Sequence, residues 1–254
     1  MADPKVSMTW WSFANRGVDD ADLIRATAEI GYDGIELADP ALWPRIADAG
    51  LAIASHGGHD SIEVGLNRPD QHDRIEREVT ERLALAQRWG IPTLICFSGN
   101  RDGLADEAGA AATVAGLQRV AKAAEDAGVT LALELLNSRV DHPGYQCDRS
   151  AWGVGVVEAV GSPRVRLLYD VYHMQIMEGD VIRTIGEHSR WFGHYHVAGN
   201  PGRHEPDATQ ELNYPPIYRA IRETGFDGWL GMEYVPTGDP VASLRHALAG
   251  VWGS

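Results

Sequence analysis

Residues 28–37, AEIGYDGIEL, and residues 222–234, RETGFDGWLGMEY, are near copies of one design at opposite ends of the chain. In each, a helix-like segment runs into a glycine, a few residues follow, and an apolar run begins. Glycine just past a helix end takes the left-handed conformation that closes the helix. A continuous apolar run after it suits a parallel strand buried on both faces. The same design recurs in ADAGLAIA (47–54), QRWGIPTLICF (87–97) and EDAGVTLALEL (125–135).

Read outward from these repeats, the apolar runs predict eight strands, at 6–13, 34–38, 51–56, 93–98, 129–136, 165–172, 191–198 and 229–235. Helical periodicity lies between most of them. Ile75, Val79, Leu83 and Ala86 share one face within 75–89, and Val114, Leu117, Val120, Ala121 and Ala124 do so within 114–124. Segment 41–50 is short and contains Pro44, so an irregular turn or two of helix is expected there. Eight strands alternating with helices predict an α/β fold, a (β/α)8 TIM barrel, rather than an open sheet. No linker or low-complexity tract divides the chain, so 1–254 is expected to form a single domain.

Composition narrows the function. The 254 residues are 44% hydrophobic, enough for one large core. No apolar run is long enough to span a bilayer, and the opening MADPKVSM has no apolar signal region. Two cysteines, Cys96 and Cys147, are too few for a disulfide framework or a structural zinc site. A cytoplasmic protein with reduced thiols and no membrane partner is the expectation. Acids outnumber bases 36 to 22, for a net charge of −14. Duplex binding needs clustered Lys and Arg to neutralise phosphates, and there is no basic run. No nucleic-acid partner is expected.

In such a barrel the chemistry sits at the C-terminal strand ends. Glu134 in LALELLN, Asp170 in LLYDVYH, His196 in GHYHVAG and Glu233 in LGMEYV are each embedded in apolar sequence near the end of a predicted strand. Successive ones lie about one βα unit apart, roughly 30 residues. Three carboxylates crowded in a barrel mouth would repel one another or be forced to protonate. One divalent cation resolves this. Three carboxylates and an imidazole suit Mn²⁺, Mg²⁺ or Co²⁺ better than a metal that prefers thiolates.

Other polar residues read more modestly. Glu36 ends strand two and is expected to support the site or the fold. His194, two residues before His196, is expected to pack one layer deeper. His56 and His59 in SHGGHD lie where they would line the mouth, as would one of Trp10 and Trp11. Asp102–Glu107 reads as solvated. The loop HVAGNPGRHEP (196–206) packs His196, Arg203, His204 and Glu205 among turn-forming residues.

The stretches ELLNSRVDHPGY (134–145), YDVYHMQIMEGD (169–180), GHYHVAGNPGRHEPD (193–207) with ELNY (211–214), and GWLGMEYVP (228–236) resemble the hydroxypyruvate isomerase family. That family lies within the xylose-isomerase-like barrel superfamily, which also holds ketose 3-epimerases and an apurinic endonuclease. The resemblance covers most of the C-terminal half. It implies that Glu134, Asp170, His196 and Glu233 hold one divalent metal, that Glu134 and Glu233 are the acid–base pair, and that His173 contacts a substrate oxygen. It also implies a homo-oligomer. Hydroxypyruvate isomerases often carry Gln where this chain has His196, whereas 3-epimerases carry His.

The implied reaction moves a proton between adjacent carbons of an α-hydroxycarbonyl compound, through an enediolate. Arg203, on the loop folded back by Gly199, Pro201 and Gly202, would then grip the carboxylate of hydroxypyruvate or a related 2-oxo acid with a bidentate fork. The alternative for Arg203 is a salt bridge to Glu205 or Asp207 that only orders the loop. The alternative substrate is a neutral ketose or other sugar handled by the same residues. A metal-dependent phosphodiesterase or nuclease is a third reading, and it calls for a His-rich multi-metal cluster and a basic groove.

Overall fold

The computed structural model describes residues 3–252. Its strands are β1 (Lys5–Thr9), β2 (Gly34–Glu36), β3 (Ala52–Gly57), β4 (Thr93–Cys96), β5 (Thr130–Glu134), β6 (Val165–Asp170), β7 (Phe192–Val197) and β8 (Trp229–Met232). They follow one another in chain order around a closed barrel, and helices alternate with the strands. The fold is the (β/α)8 barrel expected from the sequence. β2, β4 and β8 are buried along their whole length, as parallel strands covered by helices must be. The repeat that announced the fold works through its glycines. Gly31 and Gly225 sit at φ +103° and +79°, where a side chain would be strained, and each ends a helix just ahead of a strand. Among the described residues, no helix is long and apolar enough to cross a membrane.

Two compact units are distinguished within the chain. The first comprises residues up to Ala54, Asp180–Ser189 and those from Tyr195 onward; the second comprises Ser55–Gly179 and Arg190–His194. In the first, β1 pairs with β2 and β8, and β8 pairs with the end of β7. Helices Asp20–Ile30 and Tyr214–Glu223 both pack on Pro240–Trp252. In the second, β4 pairs with β3 and β5, and β5 with β6. There helix Asp106–Ala127 packs on both His72–Trp89 and Ser150–Val160. Gly153 brings that last helix close, since a Cβ there would lie 2.9 Å from Leu167 and 3.2 Å from Leu135.

Several strands end sooner than the sequence suggests. Strand one stops at Thr9, and Trp10–Phe13 form a single helical turn. The Thr9 and Ser12 hydroxyls meet at 2.8 Å and fasten that turn. Strand five stops at Glu134 and strand six at Asp170, where helix Val171–Met177 begins. The Asp170 carboxylate accepts the His173 amide at 3.0 Å, so it caps that helix. β-branched and aromatic residues carry the strand pattern on past the point where the backbone turns. Segment 41–50 is irregular as expected, a 3₁₀ turn (Pro40–Leu42) and a short helix (Trp43–Asp48). Cys96 and Cys147 are free and buried.

Candidate active site

In the first unit the barrel presents His196 near the end of β7 and Glu233 just past β8. The Glu233 amide donates to the Val197 carbonyl at 3.0 Å, continuing the ladder by one residue. His196 and Glu233 are both buried, and His196 Nδ1 lies 3.0 Å from Glu233 Oε2. The other ring nitrogen, Nε2, lies 3.2 Å from Glu36 Oε2. Glu36 Oε1 accepts the Ser7 hydroxyl. On its outer side Glu233 accepts the Trp11 indole N–H at 3.0 Å and the Arg203 guanidinium at 2.5 Å. Arg203 lies over the Trp11 ring, 5.1 Å from its centroid. Burial raises the Glu233 pKa, but the charges of His196 and Arg203 and the bonds from His196 and Trp11 outweigh it. Its carboxyl is held well below the usual carboxylate range and is ionised at neutral pH.

The loop between β7 and the helix Tyr214–Glu223 explains how Arg203 arrives there. Gly199 and His204 form a bridge, the Gly199 amide reaching the His204 carbonyl at 2.7 Å. The Val235 amide donates to the Arg203 carbonyl at 2.7 Å, and His204 Nδ1 donates to the Val235 carbonyl at 2.9 Å. The loop is thereby pinned along the chain that carries Glu233. The expected alternative partners of Arg203 turn elsewhere. Glu205 accepts from the Thr237 amide and the Ser243 hydroxyl, and Asp207 accepts from Thr209. Arg203 pairs with Glu233 instead, a partner the sequence pattern did not reveal because it lies 30 residues away.

In the second unit Glu134 and Asp170 end the adjacent strands β5 and β6, and both are buried. The Tyr145 hydroxyl donates to the Glu134 carbonyl at 3.0 Å and accepts from the Ser98 amide, which fixes the strand end. His173 follows Asp170 by one helical turn, with Nε2 3.7 Å from Asp170 Oδ2. Its Nδ1 faces two donors, the Asn137 amide at 3.2 Å and the Asn137 side-chain nitrogen at 2.6 Å. The Asn137 side-chain oxygen accepts from the Val140 and Asp141 amides, so the carboxamide cannot be reversed. Nδ1 is therefore an acceptor, and a neutral His173 carries its proton on Nε2. Asp141 completes this cluster, accepting from Asn137 and from the Tyr172 hydroxyl.

Asn137 and Asp141 were not anticipated, because polar residues in a polar loop give no signal of burial. His59 proves to be a fold element. It accepts the Phe97 amide at Nε2 and donates from Nδ1 to the Asp60 carbonyl, and burial lowers its pKa. His194 is buried, as expected. Of the two tryptophans, Trp10 is packed inside and Trp11 is 44% exposed beside Arg203. Carboxylates and imidazole buried in this way form a donor set that could bind a metal ion.

The profile of the xylose isomerase-like TIM barrel family matches residues 24–251. A hydroxypyruvate isomerase of Escherichia coli is 29% identical over 178 residues, 70% of this chain and 68% of that one. A 2-oxo-tetronate isomerase of Cupriavidus necator is 41% identical over 124 residues, 49% of this chain and 47% of that one. A solved structure from Brucella melitensis, described as an AP endonuclease of family 2, matches with a TM-score of 0.87 at 28% identity. The match covers 98% of this chain and 99% of that one.

Proposed function

The chain belongs to the xylose isomerase-like TIM barrel family, and from that premise we propose a metal-dependent isomerase acting on a small 2-oxo or hydroxy acid. Its relatives mark it as an isomerase. Hydroxypyruvate stands as the representative substrate, and the proton moves between adjacent carbons. We take 1–254 as one domain and the active form as a homo-oligomer.

One observation carries the metal reading. Glu134 and Asp170 end adjacent strands of one unit, His196 and Glu233 meet at 3.0 Å in the other, and all four are buried. That donor set, three carboxylates and one nitrogen, suits Mn²⁺, Mg²⁺ or Co²⁺. When bound, the ion supplies positive charge beside the substrate's carbonyl and hydroxyl oxygens, where negative charge develops. The residues of the chain do the rest. Glu134 and Glu233 form the proton-transfer pair, one removing the carbon-bound proton and the pair returning it at the neighbouring carbon. His173, its proton on Nε2, donates to a substrate oxygen. Arg203 and Trp11 form a wall of the pocket, and Arg203 binds the substrate carboxylate.

A second reading, an epimerase or isomerase of a neutral ketose, is favoured by one contact. Arg203 already has a carboxylate partner in Glu233, and a neutral substrate would leave that pair intact. The nuclease reading is disfavoured by the net charge of −14. Assay of a panel of 2-oxo acids and ketoses in deuterated water, followed by solvent deuterium incorporation, separates the first two. Exchange confined to neutral ketoses would overturn the acid substrate.

A further inference from the structure

We propose that Glu205 is a positioning residue for Arg203. Its carboxylate latches the loop that carries Arg203 onto the chain beyond β8 and onto the helix Pro240–Trp252, and so holds the guanidinium against Glu233. What that placement serves rests on the reading above, in which Arg203 binds the substrate carboxylate.

Arg203, His204 and Glu205 are each tied down, and the ties fall in two places. The Arg203 carbonyl accepts the Val235 amide at 2.7 Å, and His204 Nδ1 donates to the Val235 carbonyl at 2.9 Å. Both bonds land on one residue, so together they make a pivot rather than a clamp. Glu205 supplies the second place. Its Oε1 accepts the Thr237 amide at 2.9 Å and the Ser243 hydroxyl at 2.8 Å, and its Oε2 accepts the Thr237 hydroxyl at 3.1 Å. Burial raises the Glu205 pKa, but the donors outweigh it and hold the carboxyl below its ordinary value. An ionised carboxylate only accepts, so the single proton of Ser243 is committed to it. The Tyr234 hydroxyl, 2.9 Å from that of Ser243, is then the donor of their contact. The latch thus reaches through Ser243 to the residue next to Glu233.

The loop needs such a hold. Residues 198–213 contain neither helix nor strand. Arg203 sits at φ +58°, a left-handed conformation that a residue with a side chain keeps only when its surroundings impose it. The chain also makes room for the fold-back. A Cβ on Gly199 would lie 2.5 Å from the Glu205 carbonyl oxygen and 3.1 Å from that of His204. Glycine there lets the two arms of the loop touch. Glu205 is half-buried and Ser243 is buried, so the latch closes partly out of water, where a charge-assisted hydrogen bond is strongest.

Crystal structures of wild type, Glu205→Gln and Glu205→Ala test the placement directly. Wild type and Glu205→Gln, whose amide oxygen still serves Thr237 and Ser243, should keep Arg203 in contact with Glu233. In Glu205→Ala the guanidinium should have left that contact. Arg203 still seated on Glu233 in Glu205→Ala overturns the proposal, whatever the substrate. Kinetics on hydroxypyruvate show what the placement serves. Glu205→Ala should raise KM on the order of 10-fold, short of the roughly 100-fold that a misplacement of about 1 Å can cost. Its kcat should change little, the pattern of lost binding, and Glu205→Gln should recover most of the KM. Ser243→Ala removes one donor of the latch; as the milder second variant it should raise KM in the same direction, and an unchanged KM in both overturns the proposal. Glu205→Ala made in an Arg203→Ala background should leave KM where Arg203→Ala put it, because the latch acts through Arg203. A further rise there would mean that Glu205 serves the fold at large, and it overturns the proposal. An Arg203→Ala that by itself leaves KM unchanged removes the carboxylate-binding reading instead, while the crystal structures still decide whether Glu205 seats Arg203.

Discussion

Glu233 is touched from three sides, by His196 Nδ1, the Trp11 indole and the Arg203 guanidinium. An acid so surrounded stays ionised, and its partners decide what it can do. On the proposed mechanism, Glu134→Gln and Glu233→Gln each lower kcat by roughly 10²–10⁴-fold at saturating metal, the range for a lost acid–base group. Asp170→Asn should act through metal affinity, with much of its kcat recovered at excess metal; progress curves against metal concentration distinguish the two patterns. Arg203→Ala should raise KM for hydroxypyruvate by about one to two powers of ten, equivalent to roughly 1.5–3 kcal/mol for a hydrogen bond to a charged group. Arg203→Lys should restore only part of that, since an ammonium cannot form the planar fork. An unchanged KM in Arg203→Ala would leave the arginine to its bond with Glu233. At this scale the four candidate ligands were legible because an acid or imidazole inside an apolar run is costly and conspicuous. The bond between Arg203 and Glu233, and the seat that Asn137 makes for His173, were not. Each joins groups that are distant in sequence or sit in polar loops, and neither leaves a periodicity to read.

Two strands stop on residues of the candidate site. β5 ends on Glu134 and β6 ends on Asp170, and the backbone turns at once. Apolar periodicity located all eight strands but ran several of them too long. The residues after the turn, such as Leu135 and Leu136 or Val171 and Tyr172, are as apolar as those before it and are buried against other parts of the fold. Pattern reports burial, not the direction of the chain. Asp170 shows the consequence for stability, because the same carboxylate caps helix Val171–Met177. Asn caps a helix about as well as Asp, and Ala does not. Metal-free Asp170→Ala should therefore be less stable than metal-free Asp170→Asn by about 1 kcal/mol. Both variants remove the buried charge, so chemical denaturation of the pair isolates the cap. Equal stabilities would mean that the cap contributes nothing and that Asp170 serves the site alone.

For the molecule as a whole, the repeated helix–glycine–strand design made the barrel legible, and the net charge of −14 made nucleic acid an unattractive partner. The thiols report on the integrity of the fold. Burial pushes Cys96 up to about 12 and Cys147 well above its ordinary value. Both should resist thiol reagents at pH 8 and react only as the chain unfolds. A pKa raised on folding means the folded state holds its proton longer than the unfolded state. The thiols then subtract stability as pH climbs from the ordinary thiol value of 9.0 towards about 12. The buried tyrosines Tyr145 and Tyr218 are shifted in the same direction. Unfolding free energy should accordingly be lower at pH 10.5 than at pH 8, and a flat profile would contradict the buried placement of these groups. The central claim is that one divalent ion at Glu134, Asp170, His196 and Glu233 makes this barrel an isomerase. Its most direct test is solvent deuterium incorporation into hydroxypyruvate by chelator-stripped protein as Mn²⁺ is added back. Exchange should be absent at first, rise with the metal and level off at one equivalent per chain. Exchange that survives stripping, or that needs two or three ions per chain, would contradict it.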